Sequence, residues 1–403
     1  MEAVDLVIVG GGVIGCAVAL ACVRKKSSLS VCLLESEPEL ALHQSSRNSG
    51  VVHVGYNQKP GSIKAQFVVE GNRRIREFCL AHQVPLVKDG IVVVGRSEAE
   101  VETLKELCRR GRENGAAVEL VDRKRLSELE PNAQGIAALH APDGASFDSR
   151  GFVIELSKEA QALGAQICLS ECAQYLREQP FHIEIGTNKR TLRARVLVNA
   201  AGLYADRVAH KLSIGLGYQI LPFRGEYYEL IPNRRDLVRS HIYPPPDLSF
   251  PFLGVHFSRT FDGRVIVGPG AVLAPGRHAY QTLAFDLPDV TEMLKFAGLW
   301  KLLSSADFRT LARREWQKSL FKEAVVAEAR QLLSQLQSAD LVRSFAGIRA
   351  QLVCHSGQLV DDLIVEESAR SIHVLNAVSP ALTCSLPFAD QIASLIETKL
   401  SPA

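Results

Sequence analysis

The chain opens on an apolar run, Leu6-Val7-Ile8-Val9, which breaks at Gly10-Gly11-Gly12 and resumes as small and apolar residues from Val13 to Ala21. That order predicts a buried strand, a tight turn and a helix packed closely on the sheet. A second buried run, Leu29 to Leu34, ends at Glu35. Ala65, Val68, Val69, Ile75, Phe78 and Cys79 then recur at helical spacing, so Lys64 to Cys79 reads as an amphipathic helix. Gly90 to Gly95 reads as a strand, Glu98 to Asn114 as a polar-faced helix, and Ser149 to Leu163 as a helix closed by Gly164. Gln166 to Leu169 and Arg195 to Asn199 are further strands, the second emptying into Ala200-Ala201-Gly202. Tyr218 to Ile231 alternates apolar and polar residues; with Phe252 to Phe257 and Arg264 to Val267 it predicts a second, antiparallel sheet. Strand parity puts Arg224, Glu226 and Tyr228 on one face of it. From Arg277 to Asp340 the pattern is helical.

Composition bounds this picture without changing it. The 403 residues suit two or three domains, or one fold with a large insertion. Lys and Arg total 46 against 44 Asp and Glu, so the net charge of +2 gives no case for nucleic-acid binding. Nine cysteines are scattered without metal-ligand spacing, which points to reduced thiols and to no metal centre. Apolar runs fall short of the ~20 residues of a membrane-spanning helix, and a strand starting at Asp5 leaves no room for a retained leader peptide. Leu294, Trp300, Leu302, Leu303, Trp316, Leu320 and Phe321 read first as core; a peripheral membrane contact through residues 290–325 is the second reading.

The chemistry begins at the first turn. Gly10, Gly12 and Gly15 form G-x-G-x-x-G between a strand and a helix, with Val13 and Ile14 inside the motif and Glu35 twenty residues beyond it. One glycine makes the turn, one lets backbone approach a pyrophosphate, one lets helix and strand touch; the acid suits a ribose hydroxyl. Dinucleotide binding follows, against the competing reading of a phosphate-free turn. Strands near 166 and 195 return to a domain begun at residue 5, which fits the FAD-binding version of the fold better than a simple NAD half. Leu42 to Gly55 is rich in small and hydroxyl residues, so its amides can lie against a flat polar ligand. His53 within it is either a packed histidine or a base. Pro380 and its Ser and Thr neighbours start the last helix and offer free N–H groups to a flavin.

Several strings together resemble the FAD-dependent L-2-hydroxyglutarate dehydrogenase/oxidase family of the D-amino-acid-oxidase-like flavoproteins. They are Arg47 to His53, Lys59 to Ala65, Pro222 to Tyr228, Ile242-Tyr243-Pro244, Pro251 to Phe257, Ala346 to Gln351 and Ser379-Pro380-Ala381, in the family's order. One departure stands out: after Gly55 the family has two adjacent aromatics, and this chain has Tyr56-Asn57-Gln58.

The resemblance implies an α/β fold, a Rossmann-like FAD domain with an inserted α+β substrate domain on an antiparallel sheet. The expected division is 1–85, 145–212 and 342–403 for the cofactor, with 86–144 and 213–341 for the cap. FAD is expected against Gly10, Gly12, Val13, Ile14, Gly15, Glu35, Ser36, Gln44, Ser45, Ser49, Gly50, Val51, Ala173, Ala201, Gly202, Gly347, Arg349, Pro380, Ala381, Leu382 and Thr383. Arg349 and Arg224 are expected to hold substrate carboxylates, His53 or His256 to take the hydroxyl proton, and Tyr243 to orient the substrate. The implied reaction converts an L-2-hydroxy acid, foremost L-2-hydroxyglutarate, to its 2-oxo acid, with electrons passing to a quinone-linked acceptor or oxygen. The expected location is the cytoplasm or the mitochondrial matrix side, peripheral on the inner membrane if membrane-bound. Two rivals stay open here: a flavin amine oxidase of the glycine or sarcosine oxidase type, and a non-catalytic FAD-binding assembly protein.

Overall fold

The structure, a computed structural model, describes residues 2–246 and 254–401. Two sheets carry it. In the cofactor sheet, Glu2–Val9 lies parallel to Val31–Leu34 on one side and to Thr191–Asn199 on the other. Gln166–Cys168 extends it beyond Val31–Leu34, and Ser371–Asn376 pairs in parallel with the end of Thr191–Asn199. Helices Val13–Lys25, Ser149–Ala162 and Ala381–Leu400 pack together against it. The first of these is built mostly of Gly, Ala, Cys and Val, and all of its residues through Val23 are buried. Small side chains let the axes approach closely, and burying so much apolar surface gives the layer its stability.

Among the described residues the cap sheet has nine strands. Its spine is an antiparallel pair, Tyr218–Leu230 against Leu341–Cys354, registered from Tyr218↔Cys354 to Leu230↔Leu341. Val265–Gly268, His256–Arg259, His241–Tyr243 and Ile91–Gly95 continue it. Residues 342–354 therefore belong to the cap sheet rather than the cofactor domain. Their long alternating strand finds its hydrogen-bond partner there, and the chain re-enters the cofactor layer at Ile364–Glu367 and Ser371–Asn376. The predicted strand at Phe252 to Phe257 begins at His256, residues 251–253 lying outside those described. Ala173 opens a further strand, Ala173–Glu178. The helical stretch resolves into Leu287–Lys295, Ala297–Ser304, Ala306–Leu320 and Lys322–Ala329, stacked on the outer side of the cap.

Candidate active site

Between the two sheets lies a cavity of about 1910 Å³. One part of its wall is backbone and small residues of the cofactor layer. Gly10, Gly12, Val13 and Ile14 open onto it, as do Glu35 and Ser36 at the end of the second strand. The Glu35 carboxylate accepts from the Gly11 N–H at 2.6 Å and the Glu37 N–H at 2.9 Å, which aims it at the turn. The Ser45 hydroxyl accepts from the Val13 N–H at 2.9 Å, holding the 42–49 loop against the helix start. Gln44, Ser49, Val51, Ala173, Ala201, Gly202, Gly347 and Pro380 to Thr383 also line the space.

Two expected cofactor residues stand behind the wall. A Cβ on Gly15 would come within 1.9 Å of the Gly10 carbonyl oxygen, so this glycine serves helix–strand contact. Gly50, at φ +65°, turns the chain so that Ser49 and Val51 face the cavity; its carbonyl accepts from the Phe147 N–H.

The other wall holds side chains. Tyr227, Tyr243, His256 and Arg349 border the cavity from the cap sheet and its flanks, and His53 borders it from the segment after Val51–Val52. The backbone of His53 is fastened twice, its N–H to the Thr383 hydroxyl at 3.1 Å and its carbonyl by the Asn72 amide at 2.9 Å. Burial lowers its imidazole to about 4. His256 stacks on Tyr243 with ring centroids 4.3 Å apart, and its Nδ1 lies 2.9 Å from the Gly254 carbonyl. That contact makes Nδ1 the donor and leaves Nε2 with a free lone pair. Burial again lowers it to about 4, with the Gly254 bond opposing and Arg349 adding to the fall. Both rings are thus neutral at physiological pH. Burial also pulls the Arg349 guanidinium down, while Tyr227 and Glu315 support its charge. Tyr227 is pushed up to about 12, chiefly by burial.

Arg224 does not reach this space. Its side chain runs to the far side of the cap sheet, donating to the Gln281 carbonyl at 2.8 Å and facing Glu226 at 3.4 Å. Arg224, Glu226 and Tyr228 do share a face, as parity requires, but it is the face turned to the cap helices. Their neighbours Gly225 and Tyr227 face the cavity. Sequence reasoning gave no role to Tyr227, to Lys64, whose Nζ donates to the Asp361 carbonyl at 2.7 Å, or to His241, buried near His53 and His256 and lowered to about 3 mainly by burial. Strand parity puts Tyr227 on the cavity side once the structure turns Arg224 to the helices. At the rim, Glu37, His43 and His278 bring ligand-type atoms within 4.8 Å of one another, with His43 bonded to Tyr280 and Glu37.

The residues fit FAD: a glycine turn at a helix start, a ribose-directed carboxylate, and a space large enough for dinucleotide and substrate together. Comparison with known proteins agrees. The family described as FAD dependent oxidoreductase matches residues 5–395. An L-2-hydroxyglutarate dehydrogenase of Indibacter alkaliphilus is 37% identical, over 95% of this chain and 96% of its own. The mitochondrial L-2-hydroxyglutarate dehydrogenase of Caenorhabditis briggsae is 36% identical, over 97% and 92%. Among solved structures, the dithionite-reduced L-α-glycerophosphate oxidase of Mycoplasma pneumoniae with FAD bound shares the fold at a TM-score of 0.77 and 23% identity, over 98% of this chain and 95% of that one. The chain belongs to the FAD-dependent oxidoreductases and, within them, to the family of these L-2-hydroxyglutarate dehydrogenases. It is a flavoenzyme, with FAD as its cofactor.

Proposed function

We propose that the enzyme oxidises L-2-hydroxyglutarate to 2-oxoglutarate. One observation carries the reading: a half-buried arginine and two neutral imidazoles share a cavity with the dinucleotide fingerprint. FAD supplies a two-electron acceptor for the hydrogen on C2. Arg349 holds the 1-carboxylate through its planar fork, a pairing strengthened by burial. Tyr243 orients the substrate. The hydroxyl proton passes to a neutral imidazole, His53 or His256, and the two single variants decide which. Tyr56, Asn57 and Gln58 all line the cavity, so discrimination between acids of different length falls to that triplet. Names borne by relatives from a bacterium and a nematode support the substrate.

The electrons leave to a quinone-linked acceptor or to oxygen. No helix among the described residues is long and apolar enough to cross a membrane. A peripheral contact is supported by the side chains that the 290–325 region leaves open: Leu294, Trp300, Trp316, Leu320 and Phe321 are each about half exposed, beside Lys301 and Arg309. The location that accords with this is the cytoplasm or the matrix side of the mitochondrial inner membrane.

Anaerobic flavin bleaching tests the reaction, comparing L-2-hydroxyglutarate with its D-enantiomer, L-lactate, L-malate and sarcosine. Fast bleaching by the first alone is expected. Bleaching by sarcosine transfers the chain to the amine oxidases, and bleaching by none of them, with FAD bound, leaves a binding protein.

A further inference from the structure

Behind the cap sheet, on the side away from the cavity, Lys318 and Glu315 lie buried beside a largely enclosed Glu328. Lys318 is 5% exposed, Glu315 8% and Glu328 12%. Lys318 Nζ sits 2.5 Å from Glu315 Oε1 and 3.3 Å from Glu328 Oε2. Arg314 closes on Glu328 Oε2 from the solvent side at 3.0 Å. Burying such charges is costly unless each is paired and hydrogen-bonded, so a purely structural need is better met by apolar residues.

Both carboxylates spend their second oxygen on backbone that leads into the site. Glu328 Oε1 accepts from the Val255 N–H at 2.9 Å, and Glu315 Oε2 from the Ala271 N–H at 2.8 Å. Each approach is made over a glycine: a Cβ on Gly254 would lie 3.1 Å from Glu328 Oε1, and one on Gly270 3.2 Å from Glu315 Oε2. Gly254 gives the carbonyl that fixes the His256 ring, and Pro269, beside Gly270, lines the cavity. Lys318 ties the two carboxylates and therefore the two segments.

We propose that the Glu315–Lys318–Glu328 triad is a positioning device for the active site, in which Glu328, through the Val255 N–H and the Gly254 carbonyl, sets the orientation and tautomer of His256. The proposal rests on the reading that this cavity oxidises a 2-hydroxy acid. Glu328 is suited to the task. Burial alone would push its carboxyl up, but Lys318, the Val255 N–H and Arg314 together hold it below the usual range, so it stays an acceptor. Glu315 adds a second link, since its charge also supports that of Arg349.

The test is a double-mutant cycle on the FAD-loaded enzyme, read as the anaerobic flavin reduction rate, KM and Tm. Glu328→Met removes the acceptor and is expected to slow reduction about 10–10²-fold, the usual cost of misplacing a reacting group. Glu328→Gln keeps an acceptor oxygen for Val255 and is expected to restore most of the rate. In a His256→Ala background, Glu328→Met is expected to cost little more, because the ring it positions is gone. The Glu328→Met/Lys318→Met pair removes the acceptor without leaving a buried lysine unpaired; if Glu328→Met alone does not fold, it carries the comparison. A wild-type rate in either methionine variant, or a loss that adds in full to that of His256→Ala, overturns the proposal. A wild-type enzyme that L-2-hydroxyglutarate fails to bleach refutes the substrate instead, and the same cycle then runs with the acid that does bleach it.

Discussion

The two sheets offer the one cavity opposite kinds of surface. The cofactor sheet presents main-chain edges, glycines and the directed carboxylate of Glu35, all set by local geometry. The cap sheet presents long side chains, His256, Tyr243, Tyr227 and Arg349, whose chemistry is set by what surrounds them. A pyrophosphate and an isoalloxazine are the same in every FAD-binding protein, and backbone N–H groups in a fixed turn recognise the pyrophosphate well. A substrate differs from enzyme to enzyme, and its reaction needs titratable groups held neutral or charged by burial. The cofactor half is therefore a rigid cradle and the cap half an adjustable wall. The strand Tyr218–Leu230 shows the second principle in miniature: Gly225 and Tyr227 meet the substrate side, while Arg224 and Glu226, one residue out of phase, meet the helices.

The contrast is sharpest under substitution. Gly12→Val is expected to have the largest effect. Its Cβ meets only Ser45 Oγ, at 3.1 Å, so the fold is kept while the pyrophosphate space is filled. Far-UV circular dichroism near that of the wild type, with no flavin absorbance after purification, is the expected pair of results. At the groups facing the substrate FAD is expected to stay bound while the chemistry fails. Whichever of His53→Ala and His256→Ala removes the base lowers the flavin reduction rate by about 10²–10⁴. Arg349→Ala is expected to raise KM by about 10–10²-fold, the worth of a charged hydrogen bond, with kcat changed less. An unchanged KM with a reduced kcat excludes the carboxylate clamp. Arg224→Leu, on the reverse face, is expected to cost about 1–3 kcal/mol of stability in thermal or urea melts and to leave KM alone.

Acid supplies a milder probe of the same groups. His53 and His256 sit at about 4 in the folded protein against 6.5 in the unfolded chain, so between those values the unfolded state binds more protons. Their contribution to stability is complete above about pH 6.5 and is lost as the pH falls through about 4. The acid limb of kcat/KM is expected near pH 4 rather than 6.5, and a limb at 6.5 points to a base in contact with solvent. The smallest expected effect lies outside the cavity: Trp300→Ser with Phe321→Ser weakens co-sedimentation with anionic vesicles and leaves bleaching in solution unchanged.

The sequence by itself determined the cofactor layer. The glycine spacing, the first two apolar strands and the acid at Glu35 all fall within the first 35 residues, so one short stretch carries them and periodicity reveals it. The helices at Lys64 to Cys79, Glu98 to Asn114 and Ser149 to Leu163 were legible for the same reason; they are found at Ile63–Ala81, Glu98–Glu113 and Ser149–Ala162. Parity was legible too, and grouped Arg224 with Glu226 and Tyr228 correctly. Only the tertiary structure decided which face of that strand meets substrate, that residues 342–354 pair within the cap, and that Glu315, Lys318 and Glu328 close over the strand bearing His256. Those outcomes depend on contacts between segments tens to hundreds of residues apart. A strand pattern names two faces, but which one becomes the inside is fixed by the layer that packs against it.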